Sequence, residues 1–394
     1  MDVNRGGGLR AENIRGQVEV NESELKRFNV KRGDVFFTRT SETLDEIGFS
    51  AVALDNFRDT VFSGFVLRAR PKGEFLIPEY SQHCFKTQAA RKEIMEKSSY
   101  TTRALTSGSL LNHVNINLPP LPEQKRIVAV LEVWDSYLEK LGRKIEIKKR
   151  IKKGLMQQLL TGKKRLNGYR SKWEVKPFGD MVSLRRENFN PSKNGTEEFC
   201  IELEHIESMT GQIIGNITAG QGASIKSVFY EGDVLFGKLR AYLRKYWLAK
   251  RRGVCSTEVW VLAPKKDVVT SNYLFQIVKT DQFAEIASTT YGTHMPRSDW
   301  GMVANYMLPL PTLSEQAAIS NVLRKADDEI EAFEKKRKIV EAQKKYLLNN
   351  LIAGNIRTPE DLLDKRNGSP IKTFGDDSEA ERAMTSKGRG NGRN

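Results

Sequence analysis

A 45-residue segment of this 394-residue chain occurs twice, at residues 118–162 and, without a gap, at residues 310–354. Corresponding residues are 192 positions apart. Residues of the first copy that are identical in the second include Leu118, Pro119, Leu121, Glu123, Gln124, Ile127, Val130, Leu131, Asp135, Lys152, Lys153, Leu155, Leu159 and Gly162. A repeat of this length indicates that the chain arose by duplication, so a ligand or partner of one half is expected to have a counterpart at the other.

Each copy has the start and stop signals of one long helix. Pro122 and Ser314 are typical of a helix start, and each is followed by a Glu, which the helix dipole favours there. Gly162 and Gly354 are typical of the residue that ends a helix. Between these limits, apolar residues are largely three and four positions apart, as in a coiled coil. The apolar stripe comprises Ile127, Leu131, Trp134, Leu138, Leu141, Ile145, Leu155 and Leu159 in the first copy, and Ile319, Leu323, Ala326, Ile330, Phe333, Val340, Leu347 and Leu351 in the second.

Basic residues interrupt the apolar stripe near the same place in both copies: Lys148 and Lys152 in the first, Arg337 and Lys344 in the second. This shared interruption predicts that the two helices pack on each other. The alternative is that they are amphipathic helices of two separate helical domains. Because an internal two-fold relation places like ends apart, the predicted pair is an antiparallel coiled coil.

The composition favours a polyanionic partner. The chain has 64 Lys and Arg against 49 Asp and Glu, a formal net charge of +15 and a pI of about 9.5. This balance indicates nucleic acid before a membrane surface, although any single basic cluster is also explained as a solvated helix face. The three cysteines form no CxxC motif, and the sequence has neither a signal peptide nor an apolar run near 18 residues. We therefore expect a cytoplasmic, reduced protein without a membrane segment.

The segments that precede the two helices contain short strand-like runs and helical stretches. Residues 31–37 and 230–236 both place a Gly-Asp turn before an apolar strand. Further strands are expected at 61–68 and 258–262, and helical stretches at 79–96 and 271–288. The predicted fold class is α+β, with two mixed α/β globules separated by two long helices that form the antiparallel coiled coil.

The predicted domains follow from these patterns. They are a first globule at 1–117, a first helix at 118–162, a second globule at 163–309, a second helix at 310–357 and a disordered basic tail at 358–394. The second globule begins near Trp173 and has about 30 residues that the first lacks, since residues 1–10 do not match residues 173–179. The first globule is therefore expected to lack its first strands.

Signals for catalysis are weak. Residues 232–239 resemble a phosphate-binding loop, but Leu239 replaces the required Ser or Thr, and the stretch is better explained as a strand. The histidines His83, His113, His205 and His294 are scattered without metal-ligand spacing. Residues 117–120 are not the Asn-Pro-Pro-aromatic motif with which amino-methyltransferases hold a flipped base. No catalytic residue and no metal site is predicted.

The repeated motif carries a family resemblance. Leu-Pro-Pro-Leu-x-Glu-Gln at 118–124 leads into a long helix, a related sequence does so at 310–316, and residues 291–297 lie just upstream of the second. This arrangement resembles the specificity subunit of type I restriction–modification systems, and the resemblance extends to about Arg357. The short first globule and the tail at 364–394 depart from the family pattern.

The resemblance implies a non-catalytic DNA-recognition role. The globules would be target-recognition domains for double-stranded DNA, and the helices a spacer around which two methyltransferase subunits bind, with restriction subunits joining them. S-adenosylmethionine, ATP and Mg would belong to those partners, and the chain itself would hold no cofactor. Two unlike domains would recognise the two halves of a bipartite target, with the gap set by the spacer.

Residues in turns after predicted strands or helices are the candidate DNA contacts, because major-groove recognition needs side chains that project from such ends. Each is alternatively an ordinary polar surface residue. The candidates are Arg39, Thr40, Ser41, Tyr100, Thr102, Arg103 and Ser107 in the first globule, and Lys238, Arg240, Arg244, Tyr291, Thr293, His294 and Arg297 in the second.

Two competing functions remain. A self-contained DNA enzyme would need a nucleotide or methyl-donor loop, which the sequence does not show. A residual or regulatory DNA-binding protein, with one working recognition domain and no catalytic partners, stays open because the first globule is short.

Overall fold

The computed structural model describes Val3 and residues 7–194, 198–219, 224–289 and 296–363. The chain divides into two compact units, one made of Met1–Leu141 with Lys336–Asn394 and the other of Gly142–Lys335. Each unit therefore contains one globule together with part of each long helix. Of the predicted tail, residues 358–363 are described, and the prediction of disorder for 364–394 lies outside the described residues.

The first unit is built around a four-stranded sheet with the order β1-β4-β2-β5 and a smaller sheet with the order β3-β7-β6. Its strands are β1 (Gly7–Leu9), β2 (Val35–Thr38), β3 (Thr40–Ser41), β4 (Ser50–Ala53), β5 (Val66–Ala69), β6 (Ser99–Tyr100) and β7 (Ala104–Leu105). Its helices are α1 (Glu22–Phe28), α2 (Pro78–Cys84), α3 (Gln88–Glu96), α4 (Gly108–Leu111) and the start of α5 (Leu121–Leu159). Val35, Phe37, Val52 and Ile94 form a core between the larger sheet and α3.

The second unit has a five-stranded sheet with the order β10-β13-β16-β11-β12, a four-stranded sheet with the order β15-β14-β17-β9, and the pair β18-β8. Its strands are β8 (Glu174–Pro177), β9 (Val182–Leu184), β10 (Asn188–Phe189), β11 (Phe199–Ile201), β12 (Ile217–Thr218), β13 (Lys226–Phe229), β14 (Val234–Gly237), β15 (Tyr246–Leu248), β16 (Gly253–Ser256), β17 (Val259–Pro264) and β18 (Met307–Leu310). Its helices are α6 (Phe178–Met181), α7 (Pro191–Asn194), α8 (Ser271–Val278), α9 (Asp281–Ser288), α10 (Trp300–Ala304) and α11 (Leu313–Ala353), which continues into the first unit.

The predicted Gly-Asp turn precedes the central strand of each globule. Gly33 and Gly232 have φ of +89° and +88°, a conformation that glycine adopts without steric cost. The carboxylates of Asp34 and Asp233 each accept a hydrogen bond of 2.8 Å from the backbone N–H three residues earlier, which closes the turn. The stretch that resembled a phosphate-binding loop is therefore a buried strand, β14, as the sequence analysis favoured.

The helical stretches predicted at 79–96 and 271–288 each form two helices rather than one. The reason is a threonine N-cap inside each stretch. The Thr87 hydroxyl accepts a hydrogen bond from the Ala90 N–H, and the Thr280 hydroxyl accepts one from the Phe283 N–H. Capping by a β-hydroxyl satisfies the free amides of a new first turn, so each threonine starts a second helix.

The two long helices pair antiparallel in each unit, as predicted. In the second unit Lys148 lies 2.7 Å from Glu329, and Lys152 pairs with Asp327. In the first unit the Lys344 ammonium pairs with Asp135. As the residue numbers increase along α5, those of the ion-pair partners on α11 decrease, so the two helices run antiparallel. The ion pair of Lys152 with Asp327 and that of Lys344 with Asp135 join equivalent residues of the repeat, so lysines that interrupt the apolar stripe meet carboxylates across the helix pair.

Candidate DNA-recognition site

A bend that follows the central strand has the same geometry in both globules. In the first, the Arg39 N–H donates to the Phe65 carbonyl at 3.2 Å, and the Arg39 carbonyl accepts from the Thr106 N–H at 3.0 Å. In the second, the Lys238 N–H donates to the Glu258 carbonyl at 3.0 Å, and its carbonyl accepts from the Ser298 N–H at 2.9 Å. Arg39 and Lys238 are therefore equivalent positions, and each opens a candidate recognition surface.

The bends also define which neighbouring residues correspond. Thr40 pairs antiparallel with Leu105 in the first globule, and Leu239 forms a bridge with Arg297 in the second. Leu105 is thus the counterpart of Arg297, just as Phe65 is the counterpart of Glu258. The two surfaces share a backbone frame but differ in the chemistry of these two side chains.

In the first globule the structure brings most of the predicted residues together on the sheet of β3, β7 and β6. Its register places Ser41 opposite Ala104 and Tyr100 opposite the same residue. Predicted residues on this sheet, in its turn or at the adjoining bend are Arg39, Thr40, Ser41, Tyr100, Thr102 and Arg103. Ser107 has a different role, since its hydroxyl accepts a hydrogen bond of 3.3 Å from Leu110 N–H and caps α4.

The exposed side chains of this surface are partly apolar. Phe65 is 81% exposed, Tyr100 57% and Leu105 42%. Arg39 is exposed and forms no ion pair within the described residues, whereas the Arg103 guanidinium lies 3.0 Å from the Glu42 carboxylate. Large exposed apolar groups beside an unpaired cation are a combination suited to a ligand with both flat apolar faces and negative charge.

In the second globule the equivalent surface carries an ion pair. Arg297 donates from Nε and Nη2 to the two oxygens of Glu258, each at 2.9 Å. This contact lowers the pKa of Glu258, with burial acting in the opposite direction and Lys238 adding a smaller lowering effect. A bidentate pair fixes the orientation of the planar guanidinium group.

Arg240 extends this second surface. Its backbone lies in the left-handed region, with φ of +52°, and its N–H donates to the Pro296 carbonyl at 2.9 Å. The side chain is exposed and forms no ion pair in the described part of the chain. Tyr291, Thr293 and His294, which were predicted on the same surface, lie outside the described residues.

Arg244 is placed differently from the other candidates. Its guanidinium donates from Nη1 to Asp281 and from Nη2 to the Lys279 carbonyl, both at 2.6 Å. Asp281 also lies 2.8 Å from the Lys153 ammonium of α5. Arg244 therefore connects the loop after the central strand to the start of α9, a contact that orders the scaffold of the recognition surface.

Phe65 and Glu258 were not among the predicted residues. Each lies immediately before a strand, β5 or β17, and meets the bend only across the sheet. Alignment of the predicted strands, 61–68 and 258–262, by their first residues pairs Glu258 with Val61 instead of Phe65. The observed strand starts and the hydrogen bonds between strands are needed to place Phe65 and Glu258 at the bend.

The described residues hold no group of His, Cys, Asp and Glu side chains arranged to bind a metal ion. No helix in the described ranges is long and apolar enough to cross a membrane.

Comparison with known proteins defines the family. A family model described as the type I restriction modification DNA specificity domain matches residues 9–149 and 170–342. The chain is 24% identical to the type I restriction enzyme MjaVIII specificity subunit of Methanocaldococcus jannaschii, over 63% of each chain. It is also 24% identical to the putative type I restriction enzyme MjaX specificity subunit of that organism, over 87% of this chain and 83% of the relative.

A solved structure described as bearing on complex assembly and conformational transition of the type I R-M system has the same fold. Its sequence is 19% identical, its TM-score is 0.54, and the match covers 83% of each chain. Because the family model covers most of the sequence, the chain belongs to the type I restriction–modification DNA specificity family. The resemblance drawn from the repeated helix motif is confirmed.

Proposed function

We propose that this chain recognises a bipartite DNA sequence, one part with each globule, and assembles with the catalytic subunits of a type I restriction–modification complex. The observation that carries the proposal is the equivalent bend after β2 and β14, which presents Arg39 in one globule and Lys238 with Arg240 in the other. Cations at such ends contact phosphates and fix the register of a protein on DNA.

The side chains beside each bend supply the sequence discrimination. In the second globule Arg297 is suited to a guanine edge, and the Glu258 carboxylate to the amino group of cytosine. In the first globule Phe65 and Leu105 are suited to the methyl group of thymine, since apolar contact distinguishes that base in the major groove. The two globules would thus recognise chemically different half-sites.

The chain acts without its own catalysis in this proposal. Two methyltransferase subunits bind the paired helices, one for each copy of the repeat, and restriction subunits join them. S-adenosylmethionine, ATP and Mg bind to those partners. Native mass measurement of the co-expressed complex tests the arrangement: one specificity chain with two methyltransferase subunits is expected, and a stable one-to-one complex at saturating partner contradicts it.

The function itself is tested by methylome sequencing of cells that express the chain with its methyltransferase partner. A bipartite methylated motif is expected, and substitution of Phe65 or Leu105 should change one half of the motif while Glu258 or Arg297 changes the other. The purified chain alone should neither methylate nor cleave DNA. Catalysis that survives removal of every partner would contradict the proposal.

The same experiment tests the remaining candidate, a DNA-binding protein with one working domain. This second candidate is favoured by the first unit, in which no strand equivalent to β8 or β9 is present among the described residues. A motif with one specified half, changed only by substitutions in the second globule, would establish it.

A further inference from the structure

The loop that follows the bend in the second globule has an unfavourable backbone conformation. A 3-10 turn, Ala241–Leu243, lies between Arg240 and Arg244, whose φ values are both +52°. This left-handed region brings the Cβ of an ordinary residue close to the following carbonyl oxygen. Met209, with φ of +66°, donates its N–H to the Arg244 carbonyl at 3.0 Å. Three of the four non-glycine residues with positive φ in the described part of the chain therefore lie at this loop.

The duplicated frame does not require this conformation. In the first globule Ser41, at the position that corresponds to Arg240, lies in the extended strand β3 and pairs with Ala104. No residue from 39 to 47 has a positive φ. The left-handed arginines are thus a feature of the second globule alone. Such conformations persist where surrounding contacts fix them, and they are concentrated at ligand-binding sites.

Contacts on both sides of the turn fix this loop. The Arg240 N–H donates to the Pro296 carbonyl at 2.9 Å on one side, and the Arg244 guanidinium donates to Asp281 at 2.6 Å on the other. Between them Ala241 is buried in the core that includes Phe283 of α9. The loop is therefore held in one conformation by contacts with three separate segments of the second unit.

Tyr242 is the side chain that this loop exposes. It is 57% exposed, whereas Ala241 before it is 3% exposed. Within the described ranges its hydroxyl makes no hydrogen bond and its ring stacks on no other ring. Tyr242 follows Arg240, a candidate phosphate contact, by two positions, while Arg244 is directed away to Asp281. The fixed loop thus holds an exposed phenol without a partner beside a free cation.

We propose that Tyr242 is a further DNA contact of the second globule, whose hydroxyl donates a hydrogen bond to a phosphate beside the one bound by Arg240. This inference rests on the proposed function and adds a neutral contact to the cations already assigned. Tyrosine is among the donors that proteins use on DNA phosphates, and such contacts fix the register of the protein without sequence information. A rigid loop suits this role, because phosphates recur at a regular spacing along the double helix.

Arg244 is the positioning residue of this contact. Its guanidinium also donates to the Lys279 carbonyl at 2.6 Å, so it joins the end of the loop to the start of α9 at two points. Loss of these bonds would release the left-handed backbone at Arg244 and with it the fixed placement of Tyr242.

Binding titrations of the assembled complex at several salt concentrations test the contact. Tyr242→Phe should weaken binding to cognate and scrambled DNA alike by about tenfold, as expected for a hydrogen bond to a charged group. The slope of log K against log salt should not change, because no charge is removed, whereas Arg240→Gln should reduce it. Tyr346→Phe, at a ring of α11 that is 66% exposed, is the matched control and should leave binding unchanged.

The outcomes separate this inference from the proposed function. If the unsubstituted complex prefers its cognate DNA and Tyr242→Phe binds equally well, the inference is overturned and the proposed function stands. An unsubstituted complex without that preference would overturn both. A loss confined to cognate DNA would overturn the assignment of Tyr242 to a phosphate, since a base contact would then explain it.

A double-substitution cycle tests the role of Arg244. In an Arg244→Gln background, Tyr242→Phe should weaken binding less than about twofold, because the loop no longer holds the hydroxyl at the phosphate. Asp281→Asn, which weakens the same ion pair but keeps the Arg244 charge, should give the same coupling. Arg244→Gln alone should leave the salt slope unchanged. An undiminished effect of Tyr242→Phe in both backgrounds, or a reduced salt slope in Arg244→Gln, would overturn the positioning role.

Discussion

The two globules share a central strand pair but differ at the borders of their sheets. In the second, β17 lies between β14 and β9, and residues Val259, Val261 and Leu262 are buried. In the first, β5 is the edge strand of its sheet and is half-exposed. Among the described residues, the strand that follows the central strand in the sheet is therefore paired with a further strand, β9, in the second unit, whereas its counterpart β5 is the edge of the sheet in the first.

What the two units keep in common is the contact between globule and helix. Gln124 and Gln316 are completely buried at equivalent positions near the starts of α5 and α11. The Gln124 amide donates to the carbonyls of Phe75 and Pro119, both at 2.8 Å, and accepts from Ile77 N–H at 3.0 Å. Gln316 makes the equivalent three bonds, at 2.9, 3.0 and 2.9 Å. Divergence after the duplication has thus affected sheet borders and recognition surfaces more than the junction.

The largest expected effect follows from the border of the second globule. Phe178→Ala removes a fully buried ring that packs against Phe283 and Trp300. We expect a loss of about 3–5 kcal/mol in the unfolding free energy of the second unit. Urea unfolding followed by tryptophan fluorescence measures it, since four of the five tryptophans lie in that unit. Phe65→Ala, at an exposed ring, is the control and should have little effect. An unchanged unfolding free energy of the second unit in the Phe178→Ala variant would show that this border does not stabilise the second globule.

The junction should behave alike in both halves, which sharpens the comparison. Gln124→Ala and Gln316→Ala each leave buried backbone groups without a hydrogen bond, at an expected cost of about 2–3 kcal/mol. Urea unfolding of the two variants should give losses that agree within about 1 kcal/mol, with Gln→Met at each site separating lost hydrogen bonds from lost volume. A clearly unequal pair of losses would mean that the two junctions are not equivalent in energy.

The two globules should recognise DNA bases by different contacts, polar in the second globule and apolar in the first. Arg297→Ala should weaken specific DNA binding by the assembled complex by about 1–3 kcal/mol, through loss of a bidentate base contact. Leu105→Ala, at the equivalent position, should instead weaken discrimination for thymine over uracil in the other half-site. Binding titrations with cognate, uracil-substituted and scrambled DNA measure both. Equal sensitivity of the two variants to the thymine methyl group would contradict the assignment of half-sites.

Much of this architecture is predictable from the sequence because duplication provides an internal control. The helix starts, the glycines that end them and the antiparallel pairing all follow from the repeat, and Gly162 and Gly354 indeed have positive φ of 71° and 78°. The Gly-Asp turns are equally local, since a single carboxylate closes each turn. Such features depend on residues near one another in the chain.

Contacts between distant segments were not predictable in the same way. Arg70 pairs with Asp34 in the first globule, whereas Arg185 pairs with Asp233 in the second, and the two arginines directly follow non-equivalent strands, β5 and β9. Arg244 was a candidate DNA contact because it lies in a turn after a predicted strand, and its ion pair with Asp281, 37 residues away, was not predicted. Sequence periodicity does not encode which carboxylate a basic side chain meets across a fold.

A pH effect should occur in the second unit. Burial lowers the pKa of Lys279 to about 8, while Asp327, whose carboxylate accepts from its ammonium at 2.7 Å, acts in the opposite direction. Between pH 8 and 10 the unfolded lysine binds a proton that the folded one does not, so the contribution of Lys279 to stability should rise with pH in that window. The buried thiols of Cys84, Cys200 and Cys255, whose pKa values are raised by burial, contribute in the opposite direction. The rise should be about 1–2 kcal/mol.

Lys279→Met should abolish this rise when urea midpoints are compared from pH 7 to pH 10. Lys266, also in the second unit, is exposed, and Lys266→Met should leave the rise in place. An undiminished rise in the Lys279→Met variant would show that another group titrates in this window.

The smallest expected effect concerns the cations beside the two bends. Arg39 and Arg240 are exposed and form no ion pair among the described residues, so each is available to a phosphate. Arg39→Gln and Arg240→Gln should weaken binding of the assembled complex to cognate and scrambled DNA alike, and each should reduce the slope of log K against log salt by about 0.9. Lys26→Gln, on the exposed face of α1, is the matched control. Because phosphate contact carries no base information, this effect should be equal in the two globules although their recognition side chains differ. A loss of binding confined to cognate DNA would indicate that Arg39 or Arg240 contacts a base and not a phosphate.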